Sequence, residues 1–523
     1  MKVCILAAGK SSRNSYSKTL PKGFLPIDNR PGITYLIDSI ENVEEIIIAI
    51  SPNGKIYKQF FPILYPNIKT TFVEIENFEG PGSGPGSSLL ECSKFINDEF
   101  VLIPTDAYID EKIENCWDSN WVGVSEVNSS RLYCLVQEEN DYVTDIYDKD
   151  PDAPIDSLKN GFNGIAFIKH YEEFFKSLNE NKNVISGEIQ VSNGFNGLLS
   201  SNNGPGLKVK RIDSWLDFGS NENYFNLLKN FKNQNLFKNN EFTYLYKNKV
   251  FKYDTDSIKI QNKINRAKKL YPLTPKVIDK TENFFSYNYI KGDLLSNINN
   301  FNVFEQFLNY CEKQLFIQEK LNIETLETFY KNCEYFYKDK THSRLKKFWE
   351  EKEIQDEKIQ INGLDCKSIL DVMTDIDWES LKKGIPYNFH GDLQPENIIY
   401  YPDKFHLIDW RDSFGNSLEI GDIYYDLAKL DHALLVAGKN IRAGNFSYNF
   451  NPNGVEINFL IDNSLNEYRN LLDKFINNNN YDIKKVKVLS SLIYLNIAPL
   501  YEGNYSKFLY FFGQYKLNQL LYY

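Results

Sequence analysis

No run of apolar residues in this chain approaches the length that spans a bilayer, and Met1 leads straight into a strand-like segment instead of a signal peptide. Membrane insertion is therefore not expected, and a cytoplasmic location is. Positive charge is also short. Against 70 Asp and Glu stand 59 Lys and Arg, a net charge of -11, which excludes a general affinity for nucleic acid or anionic membrane but leaves room for a local basic pocket. The expected partners are small molecules, and an oligomer is compatible with the composition. Cysteines number seven (4, 92, 116, 134, 311, 333 and 366), widely separated and without a CxxC pair. That spacing excludes a disulfide framework or a structural zinc site and fits buried thiols in a reducing compartment. There is no internal repeat, and Asn tracts such as "INNNN" are compositional.

What is present is the composition of an ordinary globular protein, 42% hydrophobic and 25% charged. The length of 523 residues exceeds what one core usually supports, so two domains are expected. In the first half "KVCILAA" (2–8), "EEIIIAI" (44–50), "TTFVEI" (70–75), "EFVLIPTD" (99–106), "WVGVSEV" (121–127) and "NGIAFIK" (163–169) read as strands, with "ITYLIDSIEN" as an intervening helix. This alternation predicts an α/β domain with a mostly parallel sheet that binds ligands at the carboxyl ends of its strands. The Asn- and Lys-rich stretch 226–242 carries the boundary, giving domains 1–235 and 240–523. Beyond it "FTYLYKNKVFKY" predicts a β-hairpin turning on Lys247 and Asn248, "NKINRAKKL" a helix and "FFSYNYIKGDLL" a strand. From about 303 the periodicity is helical, so a small strand-rich lobe precedes a larger helical one.

In the first domain a Gly/Ser turn follows the opening strand at Ala8, Gly9 and Lys10, and Arg13 and Lys22 supply fixed positive charge for a triphosphate. It is not a Walker A loop, because Cys4 stands where that motif requires Gly, and a dinucleotide fingerprint is absent. "EGPGSGPGSSL" (79–89), with Gly84 and Gly86, reads as a loop whose backbone approaches a nucleotide. Asp106 lies just beyond an apolar strand and Asp217 between apolar neighbours before Gly219. Two such carboxylates are what Mg²⁺ asks for when substrate phosphates complete its shell.

These segments resemble the sugar-phosphate nucleotidyltransferases, or nucleotide-sugar pyrophosphorylases, over roughly residues 1 to 230. The family's Gly-rich turn, Arg and Pro-Lys pair match Gly9, Arg13, Pro21 and Lys22; its metal-binding Asp matches Asp106; its late Trp-x-Asp-x-Gly segment matches Trp215, Asp217 and Gly219. Its substrate-side Asn-x-Gly region is similar to "GFNGIAF", with Asn163 and Gly164, and Glu188 lies where the family places a substrate-contacting Glu. The opening Gly-x-Gly is "GKSS" here, and the loop at 80–88 is richer in Gly and Pro than the family's. The resemblance implies a Rossmann-like sheet and attack of a phosphomonoester on the α-phosphorus of an NTP, CTP or UTP, with Lys22, Arg13 and Mg²⁺ stabilising the charge.

In the second domain "NFHGDLQPENIIYYPDKFHLIDW" sets Asp392 and Asn397 at the D-x-x-x-x-N spacing of kinase catalytic loops, with Asp409 after a strand where a metal-binding Asp belongs. Asp392 would take a hydroxyl proton, and Asn397 and Asp409 would hold Mg²⁺ on ATP. His390 reads as structural, and Asp422 and Asp426 as groups that orient the loop or cap a helix. The stretch resembles the aminoglycoside phosphotransferase and choline kinase superfamily over about 240 to 523. That implies a two-lobed protein-kinase-like α+β domain, with Lys252 on the ATP phosphates and Tyr289 in the hinge for adenine. The acidic partner that the resemblance expects on the next helix is missing from "NKINRAKKL", where Gln261 is the nearest substitute.

The joint expectation is a bifunctional enzyme: ATP-dependent phosphorylation of a sugar, then coupling of the sugar phosphate to NMP with release of pyrophosphate. By analogy the product is an activated precursor for surface polysaccharide. The alternative acceptor is choline, ethanolamine or a polyol activated with CTP. A glycosyltransferase reading of the first domain is disfavoured by the lack of a DxD pair around Asp106, and a regulatory, inactive domain by the intact Asp392, Asn397 and Asp409 set.

Overall fold

A computed structural model describes the chain except residues 10–19, 53, 152, 154–157, 182, 183, 186, 232–239, 353, 402, 403 and 453. It divides into two compact units, Met1–Ser257 with Asp279–Ser286, and Ile258–Ile278 with Tyr287–Tyr523.

The first unit is built on nine strands: β1 (Lys2–Ala7), β2 (Glu45–Ile50), β3 (Lys69–Glu74), β4 (Phe100–Ile103), β5 (Trp121–Glu126), β6 (Cys134–Glu139), β7 (Tyr142–Asp148), β8 (Asn160–Ile168) and β9 (Lys208–Arg211). Their order in the sheet is β3-β2-β1-β4-β8-β5-β9-β7-β6. Strand alternation sorts the apolar side chains between two cores. Val3, Ile5, Ile46, Ile48 and Ile50 face one, and Cys4, Ile47 and Ala49 face the other. The expected mostly parallel sheet is corrected to a mixed one. β3, β2, β1 and β4 run parallel, but β8 pairs antiparallel with β4 and with β5, and β7 antiparallel with β9 and with β6. The physical reason lies in the connections. β6 and β7 turn directly on Asn140 and Asp141, both at positive φ, so no crossover helix intervenes.

The hairpin Glu241–Tyr246 and Lys249–Asp254 forms as expected, with Lys247 and Asn248 at positive φ in its turn. It packs within the first unit, because Phe60 collects Tyr244 at 5.6 Å, Phe251 at 5.4 Å and Phe284 at 4.4 Å between ring centroids.

The second unit is largely helical. Its central helix, Ile423–Leu435, is buried almost all round and packs against Ile483–Ile497. A four-stranded sheet of Ile359–Ile361, Leu364–Cys366, Phe446–Asn451 and Gly454–Phe459 interrupts the stretch read as helical. All seven cysteines are free; Cys116 and Cys134 are half-buried and the others buried. Among the described residues no helix is long and apolar enough to cross a membrane.

Candidate functional site

At the carboxyl ends of β1 and β4 the first unit opens a cavity of about 1080 Å³. Ala8 and Gly9 line it where β1 ends, and Pro104 to Ala107 where β4 ends. Pro21 starts a short 3-10 turn, Lys22–Phe24, which buries the Lys22 side chain and sets its Nζ 2.8 Å from Asp106 Oδ2. Asp217 comes from more than a hundred residues away because Leu216–Asp217 pairs with Ala107–Tyr108, and the Phe218 N–H donates to the Asp106 carbonyl at 2.8 Å. The Asp217 carboxylate accepts from Gly219 N at 2.7 Å, Tyr133 Oη at 3.1 Å and Asn223 Nδ2 at 3.1 Å.

These groups converge on one point. A Cβ added to Gly219 would lie 2.6 Å from Asp106 Oδ2, 2.9 Å from Asp217 Oδ1 and 3.2 Å from Lys22 Nζ. Among the described residues no group of three or more His, Cys, Asp or Glu is arranged to hold a metal alone. Two converging carboxylates suit Mg²⁺ that takes its remaining oxygens from phosphates and water. Asp106 and Asp217 therefore fit the ion the sequence implies.

Asn163 and Gly164 also line the cavity, on a bulge in β8 between Phe162 and Ala166. The Asn163 amide is engaged internally, donating to Ser125 Oγ at 3.0 Å and accepting from Ile165 N at 3.1 Å. Glu188 pairs with Lys149 at 3.6 Å and accepts from Gln190 Nε2 at 3.1 Å, while the cavity wall is made by Lys149, Gln190 and Ser192. Asp148 stands in the same wall, its pKa raised by burial against the opposing hydrogen bond from Ser192. Tyr133, Asp148, Lys149, Gln190 and Asn223 had no local motif to mark them.

The Gly-rich stretch 79–89 is corrected from a loop to a loop entering a helix, Pro85–Cys92, with Pro85 in its first turn. Its backbone also lies close against the chain's own segment at 189–190. A Cβ on Gly84 would meet the Ile189 carbonyl oxygen at 2.7 Å, and one on Gly86 the Gln190 oxygen at 2.6 Å. Lys10 and Arg13 lie outside the described residues. Lys252 is buried in the first unit with its Nζ 2.9 Å from Thr243 Oγ1. Tyr289 is exposed in the second.

In the second unit Asp392 and Asn397 meet, Asn397 Nδ2 donating to the Asp392 carbonyl at 2.9 Å and to Oδ2 at 3.2 Å. This leaves the Asn397 side-chain oxygen, the atom type a hard cation takes. Asp409 is carried alongside: Ile408 N donates to the Asn397 carbonyl at 2.9 Å, and Arg411 N to the His390 carbonyl at 2.9 Å. His390 is buried, bonds the Ile408 carbonyl through Nε2 at 3.0 Å and receives Asp392 N on Nδ1, with its pKa lowered by burial. It is packed and hydrogen-bonded within the loop.

The central helix supplies what the motif does not contain. Asp426, fully buried, accepts from the backbone N–H of His390 and Gly391 at 2.9 Å and of Leu393 at 3.2 Å, while Asp422 caps the helix through Tyr424 N at 3.1 Å. One turn on, Lys429 Nζ lies 2.7 Å from Asp392 Oδ1. From the helix Ser257–Leu270, Arg266 bonds the carbonyls of Phe389, Arg411 and Leu418 and stacks at 3.6 Å on the Phe389 ring. Burial lowers its pKa to about 10.

Residues 3–113 match the family model of the MobA-like NTP transferase domain. The Bifunctional protein GlmU of Methanocaldococcus jannaschii is 24% identical over 223 residues, 42% of this chain and 51% of that protein. The UTP–glucose-1-phosphate uridylyltransferase of Mycoplasma genitalium is 23% identical over 243 residues, 39% of this chain and 82% of that one. A solved UDP-glucose pyrophosphorylase in complex with UDP-glucose, at 20% identity, covers 44% of this chain and 97% of its own, with a TM-score of 0.38. The chain spans about half the length, 51%, of the GlmU relative. By the family match over residues 3–113 and these curated relatives, the amino-terminal half of the chain is similar to nucleotidyltransferases.

Proposed function

We propose that the first unit transfers a nucleoside monophosphate from an NTP to a phosphomonoester, and that the second makes the phosphomonoester by phosphorylating a small hydroxylated compound with ATP. The observation that carries the first step is the convergence of Lys22, Asp106 and Asp217 around Gly219 at the strand ends. In that step the phosphomonoester oxygen bonds to the α-phosphorus and the bond to the pyrophosphate oxygen breaks. Lys22 supplies fixed positive charge where the crowded oxygens gather, and Tyr133 and Asn223 keep Asp217 in place. Mg²⁺, held by Asp106 and Asp217, would neutralise phosphate charge.

For the second unit the support is Asp392 held by Lys429 beside Asn397, on a loop whose N–H groups Asp426 fixes. Asp392 accepts the proton of the acceptor hydroxyl, while Asn397 and Asp409 would hold Mg²⁺ on the ATP phosphates. The coupled product is an activated donor of the kind used to build surface polysaccharide, from a sugar or, alternatively, from choline, ethanolamine or a polyol activated with CTP.

Separate substitutions test the reading. Asp392→Asn is expected to abolish ADP formation and leave pyrophosphate release from NTP plus a supplied phosphomonoester. Asp106→Ala is expected to do the reverse, each loss being on the order of 10²-fold or more. A folded single variant that lost both activities would refute two independent sites.

A further inference from the structure

The second unit gathers cations around Phe336, and one of them, Arg411, acts on the Asp392 charge. On the helix Lys340–Lys352, Lys340 and Arg344 are four residues apart and share a face. Lys340 Nζ stands 4.0 Å from the Phe336 ring centroid, and Arg411 Cζ 5.1 Å from the same ring. Phe336 in turn packs on Phe414 at 4.5 Å and edge-on to Tyr425 at 4.9 Å. Arg411 belongs to the catalytic loop's surroundings, since its Cβ would lie 2.6 Å from a Cβ placed on Gly391. Arg344 donates to the Asn496 carbonyl at 2.8 Å. Lys429 is paired with Asp392, but among the described residues Lys340, Arg344 and Arg411 form no ion pair with a carboxylate.

Half-buried like charges repel unless an anion joins them. Lys340 registers this: burial first, then the Arg411 and Arg344 charges, lower its pKa to about 6, with Asp412 opposing.

We infer that the acceptor is an anion, a hydroxylated compound bearing a carboxylate or phosphate group that Lys340, Arg344 and Arg411 hold while its hydroxyl faces Asp392. The hydroxyl oxygen bonds to the γ-phosphorus of ATP, the bond to the departing ADP oxygen breaks, and the proton passes to Asp392. A quaternary ammonium is disfavoured, because Lys340 already covers the Phe336 face that would receive it. This inference rests on the kinase reading of the second unit.

The test uses the full chain with ATP and matched acceptors: glycerate and glycerol 3-phosphate against glycerol, gluconate against glucose, and choline and ethanolamine. ADP release is read for each. An anionic acceptor should exceed its neutral counterpart about tenfold or more in kcat/KM, and the carboxylate and phosphate arms identify which group is read. In Lys340→Gln/Arg344→Gln the KM for that anion should rise about tenfold or more with a smaller fall in kcat. Preference for choline or for the neutral partners overturns the inference. So does an equal loss of kcat on anionic and neutral acceptors, which would place the cations on the transferring phosphoryl group. Calorimetry separates the two readings. Failure to bind ATP defeats the kinase itself, whereas binding of ATP without binding of any of the anions defeats only the anionic acceptor.

Discussion

Lys429 and Asp392 form an ion pair of 2.7 Å between the central helix of the second unit and its HGD loop. Burial would raise the Asp392 pKa, but the Lys429 charge and hydrogen bond, with His390 and Arg411 adding, hold it well below the usual carboxylate range. A folded-state pKa below the unfolded value contributes stability that is present above about pH 4 and lost as pH falls through the folded value. Asp392 is thus ionised throughout the neutral range. In Lys429→Met the effect of burial remains and that of the cation goes, so the acid limb of ADP formation should move to higher pH. Rate profiles between about pH 5 and pH 8 check this, with ATP binding as the control for folding. An unmoved limb would separate Lys429 from the ionisation of Asp392.

Asp426 makes its bonds to three successive parts of the loop while wholly removed from water. Asp426→Ala would leave those N–H groups buried without an acceptor, at about 1–3 kcal/mol each before relaxation. The expected outcome is a loss of about 3 kcal/mol or more in the urea unfolding of the second unit. Asp426→Asn, which keeps an acceptor oxygen, should lose less. Equal stability of Asp426→Ala and the unsubstituted chain would show that the loop does not depend on this carboxylate.

Gly219 owes its place to the site and not to backbone strain. Any side chain there enters the space between Asp106 and Asp217, and Asp217 cannot swing away cheaply because three donors hold it. Gly219→Ala should lower pyrophosphate release on the order of 10²-fold while ADP formation from the second unit persists. Near-normal release would mean that the two carboxylates do not act at one point.

Much of the first unit was legible because its strands are apolar runs bounded by polar turns, and the hairpin at Lys247 and Asn248 because two strand-like runs flank a two-residue turn in which Asn248 adopts positive φ readily. The pairing direction of β8 was not, since a strand buried on both faces shows the same apolar run in either orientation. Gly84 and Gly86 signalled close backbone approach, and the chain's own segment at Ile189 and Gln190, which lies against them, could not be read from the local pattern. In the second unit Asp392 and Asn397 meet through a local turn, so their spacing carried the information. Asp426 was legible as a group that orients the loop, and its bonds to His390, Gly391 and Leu393 agree, but Lys429 and Arg266, which reach the same loop from two helices, were not. Within patterns such as "IYYDLAKLDHALL" a buried functional charge looks like a solvated one.

The support of Asp217 gives a last expectation, on metal dependence. Tyr133 Oη and Asn223 Nδ2 both donate to Asp217 Oδ2, so both fix the carboxylate's orientation. Loss of such outer partners typically weakens metal affinity about 10–100-fold. Tyr133→Phe and Asn223→Ala should therefore raise the Mg²⁺ concentration needed for half-maximal pyrophosphate release by about tenfold each, with activity recovered at high Mg²⁺. Removing Mg²⁺ with EDTA should abolish release in every form, and re-addition should restore it. A merely structural role would instead lower activity at all Mg²⁺ concentrations without moving the half-saturation point, which would take Asp217 out of the metal's coordination.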